Sequence, residues 1–183
     1  MPPIKHPGET VWPGEKPRLL KILSELDLPE GQWLLSGSGA MVMHGIERGR
    51  PMGDVDIFVA TRVWFELYHR DFFNGTMQGV RLEDGRKRWQ IWTTHSEDVA
   101  ARCDPPYLVK EMHGIEVNIF HSWRQRDVGN IDVAFWMLNA DVVDGIPCVP
   151  MQFLLDWKEQ FGRAKDRDDI ATLSAWLARR ESA

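Results

Sequence analysis

Leu19, Leu20, Ile22, Leu23 and Leu26 recur at the spacing of an amphipathic helix, which the breaker run Pro29-Glu30-Gly31 closes. Trp33-Leu34-Leu35 is a short apolar run, read as a buried strand, and it leads into Ser36-Gly37-Ser38-Gly39, a tight turn. Ala40 to Ile46 predicts a helix directly after that turn. A turn-rich stretch from Glu47 to Gly53 follows, and then Asp54-Val55-Asp56-Ile57-Phe58-Val59 alternates as a strand does. Thr61 is placed to cap a helix through Tyr68. The polar, glycine-punctuated segment from Asn74 to Lys87 reads as a loop or weak hairpin, and Trp89-Gln90-Ile91-Trp92-Thr93 as a strand. Beyond Pro105-Pro106, Tyr107–Lys110 and Ile115–Phe120 predict a hairpin turning at His113-Gly114. Asp144-Gly145 predicts a second one, between Ala140–Val143 and Ile146–Val149. Pro150 suits the first position of a helix through Gln160. Asp166 to Arg179 predicts a final helix with Ile170, Leu173, Trp176 and Leu177 on one face.

These elements describe an α+β chain with a mixed sheet early and helices late. Pro2, Pro3, Pro7, Pro13 and Pro17 make residues 1–17 an extended N-terminal arm without helix. The core is expected over 18–148, and a C-terminal helical segment over 149–183 packs on it. No internal repeat or low-complexity tract interrupts this order.

At 183 residues and 21.2 kDa the chain is about one domain long. A hydrophobic share of 43% and a charged share of 27% exclude a wholly disordered chain, a collagen-like repeat and a disulfide-stapled miniprotein. A net charge of −5 and a pI near 5.7 argue against holding nucleic acid by bulk electrostatics alone. Cys103 and Cys148 are too few for a disulfide framework and lack metal-ligand spacing. No apolar run approaches the ~20 residues that span a bilayer, and the proline-rich N-terminus has no signal-peptide core. The expectation is a cytoplasmic protein with no membrane partner. The 9 Trp residues read as core and lid packing rather than a cofactor box.

Three features carry chemistry. Asp54 and Asp56, two apart on a strand, face the same way with Cα atoms ~6.5–7 Å apart. Two carboxylates aimed together repel unless a cation lies between them, which suits Mg²⁺. Glu116, in Ile115-Glu116-Val117-Asn118-Ile119, is a third carboxylate that would complete a site for two ions ~3.5–4 Å apart. Gly37-Ser38 lies between strand and helix, where backbone N–H groups and a hydroxyl suit phosphate oxygens. Each also has a plainer reading: solvated acids at a strand start, an outward-facing strand Glu, an ordinary turn. The dinucleotide fingerprint fails because position 42 is Val42, and there is neither a P-loop nor a G-x-S-x-G elbow.

The order of these features resembles the nucleotidyltransferase superfamily of DNA polymerase beta-like fold. The stretch Leu35-Ser36-Gly37-Ser38-Gly39-Ala40, then His44-Gly45, then Arg50-Pro51-Met52-Gly53-Asp54-Val55-Asp56-Ile57 is similar to its Gly-Ser turn, helix and R-x-S/T-x-D-I-D pattern. Trp157-Lys158, followed by Arg163-Ala164-Lys165-Asp166-Arg167-Asp168-Asp169-Ile170, resembles a later motif of the abortive-infection toxin branch and its short stand-alone relatives. The likeness spans roughly residues 33–177. It implies a mixed β-sheet flanked by helices, with further helices at the C-terminus. It implies Gly37 and Ser38 on a triphosphate, with Arg50 and Lys158 on nucleotide charge. Asp54, Asp56 and Glu116 would hold metal, and Asp166 would act as a base or orienting group on the acceptor. Taken alone, Lys158 reads equally as a solvated helix residue and Asp166 as a helix N-cap. Met52 stands where the family has Ser or Thr, which would loosen the turn before Asp54, and position 118 holds Asn118.

The resemblance implies a Mg²⁺-dependent transferase, with two ions expected and Mn²⁺ as a substitute. It would move an NMP from an NTP to a hydroxyl on RNA or tRNA, a protein or a small molecule, in a toxin-antitoxin-like setting. The alternative is a catalytically silent protein of the same fold that binds a nucleotide or a partner protein. Arg48, Arg50, Arg81, Arg86, Lys87, Arg88, Arg124 and Arg126, interleaved with Trp89, Trp92 and Trp123, read either as solubilising loop charge or as an RNA-contacting surface.

Overall fold

A computed structural model describes residues 14–72, 80–81, 87–88, 107–125 and 129–182. The first helix, α1 (Glu15–Leu26), buries Leu19, Ile22, Leu23 and Leu26, the leucine-rich stripe of the sequence. It begins two residues before the proposed end of the extended arm. Pro17 falls in its first turn, where a proline sacrifices no intrahelical hydrogen bond. Asp27, at φ 49°, ends the helix in a left-handed conformation.

Strand β1 (Trp33–Ser36) passes directly into α2 (Gly37–Met43), so the glycine–serine turn is the helix start and not a separate loop. Every residue of α2 is buried. Strand β2 (Asp54–Val59) and helix α3 (Thr61–Phe72) follow. Two short strands, β3 (Val80–Arg81) and β4 (Lys87–Arg88), pair antiparallel and form the weak hairpin of that region. The strand expected at Trp89–Thr93 lies outside the described residues, as do Arg86, Arg126 and most of the N-terminal arm.

The predicted hairpin forms from β5 (Tyr107–Met112) and β6 (Ile115–Phe120). The sequence pattern gave no sign of β7 (Ser122–Gln125), β8 (Gly129–Asp132) and α4 (Val133–Met137). Strands β9 (Asp141–Val143) and β10 (Ile146–Cys148) flank the Asp144-Gly145 turn. Pro150 caps α5 (Met151–Phe161) from outside, one residue short of the expected position. A 3₁₀ turn (Ala164–Asp166) leads into α6 (Arg167–Glu181), whose buried Leu173 and half-buried Ile170, Trp176 and Leu177 pack on the core.

The main sheet is mixed and six-stranded, in the order β5-β6-β2-β1-β10-β9. Strand β2 lies antiparallel to β1 and parallel to β6, and β1 lies parallel to β10. The interior strands β2 and β6 alternate, with one face turned wholly to the core. Val55, Ile57, Val59, Val117 and Ile119 are all fully buried. Trp64 donates its indole N–H to the Ile119 carbonyl at 3.1 Å and stacks on Tyr68, so α3 is locked onto β6. Trp136 is buried against Phe153. Both indoles serve packing, as the composition suggested. Among the described residues no helix is long and apolar enough to cross a membrane.

Candidate active site

Central strand β2 begins with the acidic pair, and its two neighbours dictate what stands beside each carboxylate. Parallel pairing with β6 sets Glu116 opposite Asp54 and Asn118 opposite Asp56. Antiparallel pairing with β1 sets Ser36 opposite Asp56. In-register residues share a face of the sheet, so Ser36, Asp54, Asp56, Glu116 and Asn118 form one polar patch at the end of three adjacent strands.

The glycine–serine turn closes over this patch. Gly37 adopts φ +57°, and a methyl group there would overlap the Asp56 carboxylate. The bare glycine is therefore what lets Asp56 lie in the corner between β1 and α2. Ser38, 5% exposed, donates its hydroxyl to the Asp54 carbonyl at 2.9 Å and lies 3.5 Å from the Asp54 carboxylate. The Ser38 hydroxyl thus ties α2 to the head of β2.

Asp56 is pushed up to about 6 by lost solvation, with the charge of Asp54 acting in the same direction. Asn118 opposes this by donating its amide N–H to Asp56 Oδ1 at 3.1 Å, and positive charge on Lys165 and Arg163 also opposes it. The other end of the Asn118 amide, Oδ1, is buried without a hydrogen-bond partner among the described residues. Glu116 is half-buried in register with Asp54. Among the described residues no three His, Cys, Asp or Glu side chains form a group that could hold a metal ion. The structure thus brings Asp54 and Asp56 together beside Asn118, with Glu116 opposite Asp54 on the same face.

Lys158 and Asp166 occupy a second cluster, where α5 and α6 meet. Lys158 is 4% exposed and bonds Asp166 at 2.8 Å and Asp169 at 3.0 Å. Asp169 also accepts from Arg48 at 3.3 Å and from Arg50 at 3.1 Å, and Arg163 bonds Asp166. Burial alone would raise both carboxyls. Arg163 and Lys158 outweigh it at Asp166, as Lys158 and Arg48 do at Asp169, and hold each below its ordinary value. An Asp166 so stabilised as a carboxylate is a weak proton acceptor. Its side chain makes no cap to α6 either, because both its oxygens are taken by cations.

Four cations face two carboxylates in this cluster, and Arg48 keeps both terminal nitrogens buried without a partner among the described residues. Arg50 and Arg163 are its exposed members, at 40% and 39%. Arg50 also reaches the Lys165 carbonyl at 3.3 Å, and the Arg163 guanidinium lies 4.7 Å from the Trp157 ring. The turn before Asp54 is not loosened by Met52. That side chain is buried, and its backbone N–H is held by Glu15 of α1.

Arg48, Asn118, Arg163, Lys165 and Asp169 were named from the sequence without any of them being given a role at the site. Arg48 was read among loop charge, Arg163, Lys165 and Asp169 only as parts of a motif, and Asn118 only as a departure from the family pattern.

No family model matches the sequence, and no curated protein matches it. Two solved structures share its fold. One is TM1012 from Thermotoga maritima, a candidate nucleotidyltransferase, with a TM-score of 0.54 at 20% identity over 95% of this chain and 99% of the other. The second is the lincosamide antibiotic adenylyltransferase LnuA, solved with lincomycin bound, with a TM-score of 0.52 at 12% identity over 91% and 98%. The chain has a nucleotidyltransferase-like fold: a mixed sheet flanked by helices, closed by two C-terminal helices.

Proposed function

We propose that the protein is a Mg²⁺-dependent nucleotidyltransferase that moves an NMP from an NTP to an acceptor hydroxyl. The observation that carries this reading is the pairing of Asp54 and Asp56 at the head of β2, with positive charge from Arg163 and Lys165 brought to bear on Asp56. The shared fold of a named adenylyltransferase supports it.

Asp54 and Asp56 are the residues that would hold the divalent ion. Their mutual repulsion and the orphaned Asn118 oxygen beside them fit a cation. When bound, such an ion neutralises phosphate charge and lowers the barrier to attack at phosphorus. The chain's own groups do the positioning. Gly37 and Ser38 fix the carboxylates, while Arg50, Arg163 and Lys165 attract the triphosphate to this edge. Lys158 and Asp166 hold Arg163 and the start of α6 in place from within the buried cluster. The acceptor oxygen bonds to the α-phosphorus, its proton passes to water, and pyrophosphate leaves.

Incubating the protein with α-labelled NTPs, Mg²⁺ and total cell extract tests this and identifies the acceptor. Transfer should fall by about 10²–10³ on Asp56→Ala if the carboxylate stabilises charge at the reacting phosphate. An unchanged rate would refute the assignment. A second reading, a silent protein that binds nucleotide, draws on the uncharged Asn118 beside Asp56. It requires nucleotide binding that ignores Mg²⁺.

A further inference from the structure

We propose that Asn118 supplies the third oxygen of the cation site through Oδ1, and that Asp54, Asp56 and Asn118 together hold a single divalent ion. The inference rests on the metal-dependent reading above and names the ligand set of that site.

Its basis is geometric. Strand register places Asn118 directly beside Asp56 on the same face of the sheet. The amide is 6% exposed and is oriented by its N–H bond to Asp56 Oδ1 at 3.1 Å. Fixing Nδ2 in this way leaves Oδ1 as a buried acceptor with no partner among the described residues. A buried carbonyl-type oxygen without a donor is destabilising unless something electropositive meets it. Amide oxygens are ordinary ligands of hard divalent cations. Glu116 belongs to the next row, opposite Asp54, and no three acidic side chains form a metal-holding group among the described residues. Two carboxylates and one amide give a ligand charge of −2, which balances one divalent ion. A third carboxylate would have favoured two.

The same amide has a second conceivable role, as a donor that merely orients Asp56. Asn118→Asp replaces the amide with a carboxylate and removes the N–H. Ligation by an oxygen at this position predicts tighter binding of Mn²⁺, and weaker binding contradicts it.

The test is calorimetric titration of the full-length protein with Mn²⁺, with thermal melts to verify folding of each variant. The wild type should bind one ion per chain. Asn118→Ala should weaken Mn²⁺ about tenfold or more, and Asn118→Asp should tighten it. Glu116→Gln should have a smaller effect than Asn118→Ala. Unaltered affinity in folded Asn118→Ala, weaker binding by Asn118→Asp, a stoichiometry of two, or a larger effect of Glu116→Gln would each overturn the inference. In those cases loss of Mn²⁺ binding on Asp56→Ala would leave the wider metal-dependent reading intact. Wild-type protein that binds no Mn²⁺, with or without ATP, would remove both.

Discussion

Gly37 shows how one residue couples the fold to the site. Its positive φ starts α2 immediately after β1, and its missing side chain makes room for the Asp56 carboxylate. An alanine there meets two separate penalties, a left-handed backbone and an overlap with a charged oxygen. Gly37→Ala should destabilise the protein by about 1–3 kcal/mol, read from urea unfolding, and should weaken Mn²⁺ binding in parallel. A substitution that left both unchanged would mean that the corner is more open than described. Gly37 and the acidic pair were legible in the sequence because their chemistry depends on neighbours within a few residues. Asn118 was not. Its importance comes from lying opposite Asp56 across a parallel strand pair 62 residues away in the chain, and register of that kind is set by the whole sheet.

At the scale of elements, the buried ion cluster ties three segments together. Arg48 and Arg50 precede β2, Lys158 closes α5, and Asp169 lies in the first turn of α6. Asp169 is the hub, 2% exposed and contacted by three cations. Among the described residues, removing its charge leaves Arg48 with no carboxylate partner and Lys158 with one fewer. Asp169→Asn should therefore cost about 3–5 kcal/mol, measured by denaturant unfolding, and a loss below 1 kcal/mol would contradict the hub assignment. The elements themselves were largely readable. α1, β2, the β5–β6 hairpin and the β9–β10 hairpin follow from periodicity and turn residues. The β7–β8 hairpin and α4 were missed. The segment 121–139 has neither a sustained period nor a strong breaker between its strands, and tertiary packing decides it.

For the whole molecule, the same cluster sets how stability responds to acid. Asp166 and Asp169 have folded-state proton affinities held below the ordinary carboxylate value. Their contribution is complete above about pH 4, the unfolded value, and is lost as the pH falls through the lowered folded values. Urea midpoints measured at decreasing pH should show the gap between wild type and Asp169→Asn narrowing below about pH 4. A constant gap would mean that the carboxylate is not selectively stabilised.

The nucleotidyltransferase-like architecture puts Asp54 and Asp56 at the head of its central strand, beside a cation-rich edge. The most direct test is calorimetric titration of the metal-free protein with ATP, CTP, GTP and UTP, each with and without Mg²⁺, in wild type and Asp56→Ala. At least one nucleotide should bind only with Mg²⁺, and that binding should vanish in the variant. Nucleotide binding of equal strength without the ion, or undiminished in Asp56→Ala, would contradict a metal-dependent transferase.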